Sequence, residues 1–187
     1  MNPSDSAKTS RREQVLKAAL DVLGEMGIHA LSHARIDKVA GVPAGTTSNH
    51  FRTKSALTSA LVQHLAEVER ADFSSAEPVT TAEQAIKAFT GMLLLQTGPM
   101  RHRTLARYAL FTDLADYPKL LEPLIENRKG FETWTSATLE AIGASDPTNS
   151  APFLMATLDG AIMHRLIIDP RLDLEKITRR AIQASLL

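Results

Sequence analysis

The residues in this chain best suited to chemistry are Ala44-Gly45-Thr46-Thr47-Ser48-Asn49-His50. Hydroxyls, a carboxamide and an imidazole follow one another there, and such short hydrogen-bonding groups suit base edges and phosphate oxygens. Asn49 is the one side chain of the set able to pair bidentately with adenine. His50 offers a donor to phosphate, and the flanking Arg35, Arg52 and Lys54 supply cations for a phosphate backbone. Almost no large apolar residue precedes Phe51. A helix with no apolar face is poorly held unless its polar side docks on something, and here that points to nucleic acid. Ser32 has the type and position to cap the preceding helix and to offer its hydroxyl to phosphate, while Arg35 falls on the exposed side opposite Ile36.

Enzyme chemistry finds no comparable constellation. There is no Cys, hence no disulfide, no Cys-based zinc site and no thiol nucleophile. His29 and His33 are four apart, the spacing of helical metal ligands, but Ala30-Leu31-Ser32 between them reads as a loop and a cap. Asp113, Asp116, His102 and His164 have no nucleophile elbow, phosphate loop or paired-acid motif beside them. No catalytic residue, metal or cofactor is therefore expected. The richest apolar run, Met92 to Leu95, is far short of a membrane span, and the polar Met1–Ser6 lacks the apolar core of a signal peptide. The expected location is the cytoplasm, with no membrane partner.

Composition agrees with a folded, two-task chain. Its 187 residues are 44% hydrophobic and 22% charged with zero net charge, too apolar for disorder. Residues 1–64 carry eight Lys/Arg against five Asp/Glu, and the rest carries 13 against 16. A basic front and an acidic back suit a nucleic-acid module followed by something else.

Helices must position these groups, because strand patterns are almost absent. Ser10-Arg11-Arg12-Glu13 has capping-box spacing, Leu16, Ala19, Leu20 and Leu23 follow at helical period, and Gly27 stops the helix. Ser32 caps a short helix over 33–40 with Ile36, Val39 and Ala40 as its apolar face. Gly41-Val42-Pro43 breaks it, and a third helix runs from about 44 to 51. Two short helices joined by a glycine-containing turn form a helix-turn-helix pattern. Thr53 caps a fourth helix striped by Leu57, Leu61, Leu65 and Val68, and Ser74–Pro78 reads as a linker.

The second part is also helical. Thr80–Glu83 is a second capping box, followed by Ile86, Phe89 and Leu93. Gly98-Pro99 separates that helix from one carrying Leu105, Tyr108 and Phe111. Pro118 opens a long helix ended by Gly143 and Pro147, another runs from about Ser150 to Ile168, and Asp173 caps the last. The expected class is all-α with about nine helices: an N-terminal three-helix helix-turn-helix DNA-binding domain and a C-terminal helical domain. The expected division is residues 1–55, a connecting helix over about 54–73, and a domain over 56–187.

Ile36, Val39-Ala40-Gly41-Val42, Gly45-Thr46, Phe51 and Thr53-Lys54 occur in an order and spacing through which residues 10–65 resemble the DNA-binding domain of TetR-family transcriptional regulators. The resemblance covers about a third of the chain. It implies a homodimer that sets two recognition helices in successive major grooves of a near-palindromic duplex operator. It also implies a C-terminal domain that dimerises and binds a small effector, whose binding releases a repressor from DNA. Many family members have Tyr where this chain has Ser48, and often Lys where it has Ala44. Those departures leave Thr46, Thr47, Asn49, His50 and Lys54 as the better DNA contacts, with Ser32, Arg35 and Ser48 completing the candidate set.

Aromatic and polar residues share helix faces in the C-terminal part: Phe89, Met92 and Gln96; Tyr108, Phe111 and Thr112; Phe131, Trp134 and Thr135; Phe153, Thr157 and His164. Such mixtures line pockets for largely apolar molecules with a few hydrogen-bonding groups, and equally make ordinary core. Arg107 and Arg128 are the main cations available to a charged effector. Small residues Ala151, Ala156, Gly160 and Ala161 permit close helix approach, so the last two helices are the expected dimer surface. The reading that competes with a regulator is a helical ligand-binding or protein-interaction module that has lost DNA binding.

Overall fold

In this computed structural model residues 3–73 and 79–187 are described, so the expected linker Ser74–Pro78 lies outside the described residues. The described chain is helical: α1 (Pro3–Met26), α2 (His33–Ala40), α3 (Thr46–His50), α4 (Lys54–Phe73), α5 (Ala82–Thr97), α6 (Arg101–Asp113), α7 (Pro118–Ala141), α8 (Pro147–Ile167) and α9 (Leu174–Ser185). One 3-10 turn, Ile28–Ala30, follows α1 and contains His29.

The chain gathers into two compact units, Met1–Asp72 with His102–Ile125, and Phe73–Arg101 with Glu126–Leu187. Packing therefore groups α6 and the start of α7 with the first four helices, a grouping that hydrophobic periodicity does not encode.

In the first unit, α1 supplies Val15, Leu16, Ala19, Leu20, Val22 and Leu23 to one core, against Ile36 of α2, Phe51, and Leu57, Leu61 and Leu65 of α4. Ala106 and Leu110 of α6 join it. Helix α1 begins at Pro3, so Ser10 lies inside it rather than at its start. Ser32 caps α2 as expected, its hydroxyl accepting from the Arg35 N–H. Val39 does not join the apolar face of α2 but is 52% exposed. Gly41 ends α2 at φ 64°, a left-handed conformation that costs other residues about 1–2 kcal/mol. Thr53 accepts from the Ala56 N–H at the start of α4.

The second unit packs α5, α8 and α9 against one another. The capping box of α5 sits one residue later than the spacing predicts: Thr81 accepts from Gln84 N–H while the Gln84 side chain accepts from Thr81 N–H. That frees Glu83, which with Glu175 takes the guanidinium of Arg179 on α9. Pro147 does not end the long helix. It opens α8 behind an Asp146 cap, where a missing N–H costs nothing. Asp173 caps α9 through the Lys176 N–H. No described helix is long and apolar enough to cross a membrane.

Candidate functional site

The polar segment at 44–50 resolves into a turn and a five-residue helix. Ala44 and Gly45 belong to the turn, with Gly45 at φ 88°, and only Thr46–His50 is helical. What holds so short and polar a helix is a side chain on α2. Asp37 is buried, 4% exposed. One of its oxygens accepts the Gly45 N–H at 2.7 Å. The other accepts the Thr47 N–H at 2.8 Å and the Thr47 hydroxyl at 2.5 Å. Burial pushes this carboxyl up. The Thr47 hydroxyl, the two N–H groups and the nearby His33 outweigh burial and hold it below the ordinary 3.8.

A carboxyl held below its unfolded value contributes stability that is present above that value and lost as pH falls through the folded one. The wild-type unfolding midpoint should therefore drop more steeply than that of Asp37→Asn as pH falls from about 5 to about 3. Thermal denaturation across that interval is the check, and parallel curves would show that the carboxylate contributes nothing in the folded chain.

This geometry sorts the candidate DNA contacts. Thr47 is 0% exposed and its hydroxyl is committed to Asp37, so it anchors the helix from beneath instead of facing outward. The Thr46 hydroxyl donates to the Pro43 carbonyl at 2.6 Å and that of Ser48 to the Gly45 carbonyl at 2.9 Å, each keeping lone pairs for a further donor. Asn49 is exposed, with a carboxamide that makes no intramolecular hydrogen bond among the described residues. His50 is half-buried, its ring 6.2 Å from that of Phe51. The guanidinium of Arg12 lies over the other partner of that pair, 5.4 Å from the Phe51 ring centre. Lys54 is exposed at the first position of α4. Arg35 is exposed yet donates to the Ala30 carbonyl at 2.9 Å, and the Ser32 hydroxyl is engaged as a cap.

Sequence reasoning missed Asp37. The available sign was the polar helix itself: a segment with no apolar anchor needs a polar one, and Asp37 stands in the middle of the short helix just ahead of it.

The candidate effector residues divide between the two units. In the second unit, Phe89 of α5 is 0% exposed and meets two rings of α7, Trp134 at 5.3 Å and Phe131 at 6.2 Å. Phe131 and Trp134 stack at 5.6 Å with 21° between their planes. Thr135 is buried beneath them, its hydroxyl donating to the Phe131 carbonyl at 2.8 Å. Met92 and Gln96 are half-buried on α5. Phe153 is 50% exposed on α8, Thr157 donates to the Phe153 carbonyl at 2.9 Å, and His164 is exposed. These three follow the outer face of α8 and do not join the aromatic trio.

Tyr108, Phe111 and Thr112 belong to the first unit. Phe111 packs against its core, Thr112 is exposed and bonded to the Tyr108 carbonyl at 3.0 Å, and Tyr108 has the Arg107 guanidinium 5.2 Å from its ring centre. Arg107 pairs with Glu69 of α4 at 3.0 Å, and Arg128 pairs with Asp159 of α8. Both cations that sequence offered to a charged effector thus already have carboxylate partners. Of the neighbouring Arg101-His102-Arg103, Arg101 donates to the Leu166 carbonyl, His102 faces Glu25 at 3.4 Å and Arg103 pairs with Asp72.

The family profile described as "Bacterial regulatory proteins, tetR family" matches residues 15–61, and "Tetracyclin repressor-like, C-terminal domain" matches residues 80–186. The HTH-type transcriptional regulator BetI of Escherichia coli (strain K12) is 32% identical over 92 residues, 48% of this chain and 47% of that protein. The chain spans about half the length of the curated relatives it matches. A transcriptional regulator from Rhodococcus sp. Rha1 superposes with a TM-score of 0.74 at 26% identity, covering 93% of this chain and 95% of the other. The multidrug binding protein EbrR complexed with ethidium superposes with a TM-score of 0.70 at 25% identity, covering 95% and 99%.

Proposed function

Because the chain belongs to the TetR family of bacterial transcriptional regulators, we propose that it binds an operator through α2 and α3 and leaves it when a small molecule binds the helical domain. The single observation that carries this reading is the polar helix α3, pinned from behind by Asp37 with Asn49 turned outward and unengaged. The proposed contacts are Asn49 to a base edge, Ser32, Arg35, His50 and Lys54 to the phosphate backbone, and Thr46 and Ser48, whose protons are committed, as acceptors from base-edge N–H groups. Thr47 leaves that set. The proposed organisation keeps a DNA-binding head over residues 1–55 and assigns effector binding and dimerisation to residues 56–187, in a cytoplasmic repressor.

The dimer is proposed to form through α8 with α9 beside it. The effector is proposed to be largely apolar and flat enough to lie against the half-buried Phe131 and Trp134, whose rings are backed by the buried Phe89. EbrR, which resembles this chain, has been solved with ethidium, proflavin and malachite green, and planar aromatic molecules of that kind are the first to try.

The test is selection of bound sequences from random duplex DNA, followed by a ligand screen that reads release from that duplex and quenching of Trp134, the sole tryptophan. Lys54→Ala should weaken binding to every duplex and reduce the salt slope by about one. Asn49→Ala should cost about 1–3 kcal/mol and relax preference at one position per half-site. Equal losses on selected and random DNA would take base readout away from Asn49. Failure to select any sequence, with Trp134 still quenched by a ligand, would favour the ligand-binding module.

A further inference from the structure

Helix α3 has little of its own with which to hold an orientation. Five residues are far fewer than the dozen or so an isolated helix needs. Its N-cap is Gly45, which has no side chain to accept from the first turn. Only Thr47 of Thr46–His50 is buried, and it brings one methyl and one hydroxyl. The missing cap comes from outside the helix. The two oxygens of Asp37 grip it at two points, the turn at Gly45 and the first helical residues at Thr47.

We infer that Asp37 is the specificity-positioning residue of this head: its carboxylate, without touching DNA, fixes the roll of α3 and so aims Asn49 at a base edge. Two attachments on one rigid, planar group prevent rotation about either one. Base readout needs that, because a recognition group works only within about 0.5 Å and 10–20° of its productive geometry. Phosphate contacts by flexible cations tolerate more. The remainder of the head does not depend on Asp37. Leu16, Ile36, Phe51, Leu57 and Leu61 close its core, and Gln14 separately donates to the Ala40 carbonyl at 2.7 Å. Removing the carboxylate should therefore loosen α3 and leave the head folded. The inference rests on the DNA-binding reading above.

The experiment uses the full chain and compares Asp37→Ala and Thr47→Val with wild type on the duplex selected by wild type and on a random duplex of equal length. Amide exchange at Gly45 and Thr47 is read in the same proteins without DNA. Asp37→Ala should lose roughly a hundredfold on the selected duplex, about what one or two charge-assisted hydrogen bonds are worth. On the random duplex it should change by less than about threefold with the salt slope kept, because that affinity is electrostatic. Thr47→Val, which removes only the hydroxyl bond, should lose roughly tenfold on the selected duplex alone. Amide exchange at Gly45 and Thr47 should quicken in Asp37→Ala while that of α1 and α4 holds.

Equal losses on both duplexes, or unchanged exchange at Gly45 and Thr47, overturn the inference. If Asp37→Ala does not fold, Thr47→Val decides by the same comparison. A wild type that selects no duplex sinks the DNA-binding reading and the specificity role with it. A wild type that selects one, with Asp37→Ala binding it unchanged, sinks only the role of Asp37.

Discussion

Gly24→Ala should lower the unfolding midpoint, although it replaces the poorest ordinary helix former with the best one in the interior of α1. On propensity alone the change is worth about 1 kcal/mol in favour of Ala. Packing opposes it. A Cβ at Gly24 would stand 2.0 Å from the carbonyl oxygen of His102 and 2.7 Å from its carbon. Both are backbone atoms of α6, so no side chain can swing aside. Overpacking typically costs about 1–3 kcal/mol and more when backbone must move. A backbone contact of 2.0 Å puts this site at the upper end of that range, so the clash wins by about 2 kcal/mol, which for a chain of this size is a fall of roughly 4–8 °C.

Gly130→Ala is the control. Gly130 is an exposed residue inside α7, where an added Cβ meets nothing within 4 Å, so propensity acts alone and the midpoint should rise. Calorimetry of the two variants separates the effects. A Gly24→Ala midpoint at or above wild type would mean that α1 and α6 part at little cost there, and that the His102–Glu25 contact does not hold them close.

The helix starts show what could be read from sequence and where the reading stopped. Ser32, Thr53 and Asp173 cap where side-chain chemistry said they would, because a cap is a local bargain between one side chain and one N–H. Thr80 and Thr81 differ only in register, and both sit ahead of an acceptor three residues on. The choice of Thr81 with Gln84 leaves Glu83 for Arg179, ninety-six residues away, and such a partner is invisible to a local rule. Pro147 was ambiguous for a related reason. A proline ends one helix and starts the next equally well, and the Asp146 cap before it is what decided.

The polar recognition segment was legible as a helix that must dock, but the partner behind it was not. Local periodicity marks Ile36 as core and passes over Asp37 beside it, since a buried carboxylate is expected only where donors converge. Those donors, Gly45 and Thr47, come from across a turn. The effector candidates fared unevenly for the same cause. Phe89, Phe131 and Trp134 meet because α5 and α7 carry them to one place, whereas Phe153 and His164 share the helical spacing of a pocket and lie on an exposed face. Spacing tells which residues share a face and not what that face meets.

That exposed face carries the other large effect expected of this chain. Phe153, Ala156, Gly160, His164 and Ile167 recur every three or four residues along α8 and are all exposed, Phe153 by 50% and Ile167 by 63%. Ala151 and Ala161, equally small, are instead buried inside the unit. The outer face of α9 is polar, with Glu175, Lys176, Arg180 and Gln183, so α8 supplies the apolar part of any contact between two copies. At Gly160 an added Cβ meets nothing within 4 Å, so Gly160→Arg fits the single chain without strain and even favours its helix.

A second copy packed against this face would meet a long charged side chain where it had met a hydrogen atom. Gly160→Arg should therefore shift the protein from dimer to monomer by sedimentation or light scattering while its helical signal in circular dichroism is kept. Operator binding should fall with it, by roughly 10²–10⁴, because the second half-site is then no longer held at high effective concentration. Binding of a single head to random DNA should survive at the level its phosphate contacts allow. A variant that stays dimeric with unchanged operator affinity would move the interface off α8 and leave Phe153 and Ile167 exposed for another reason.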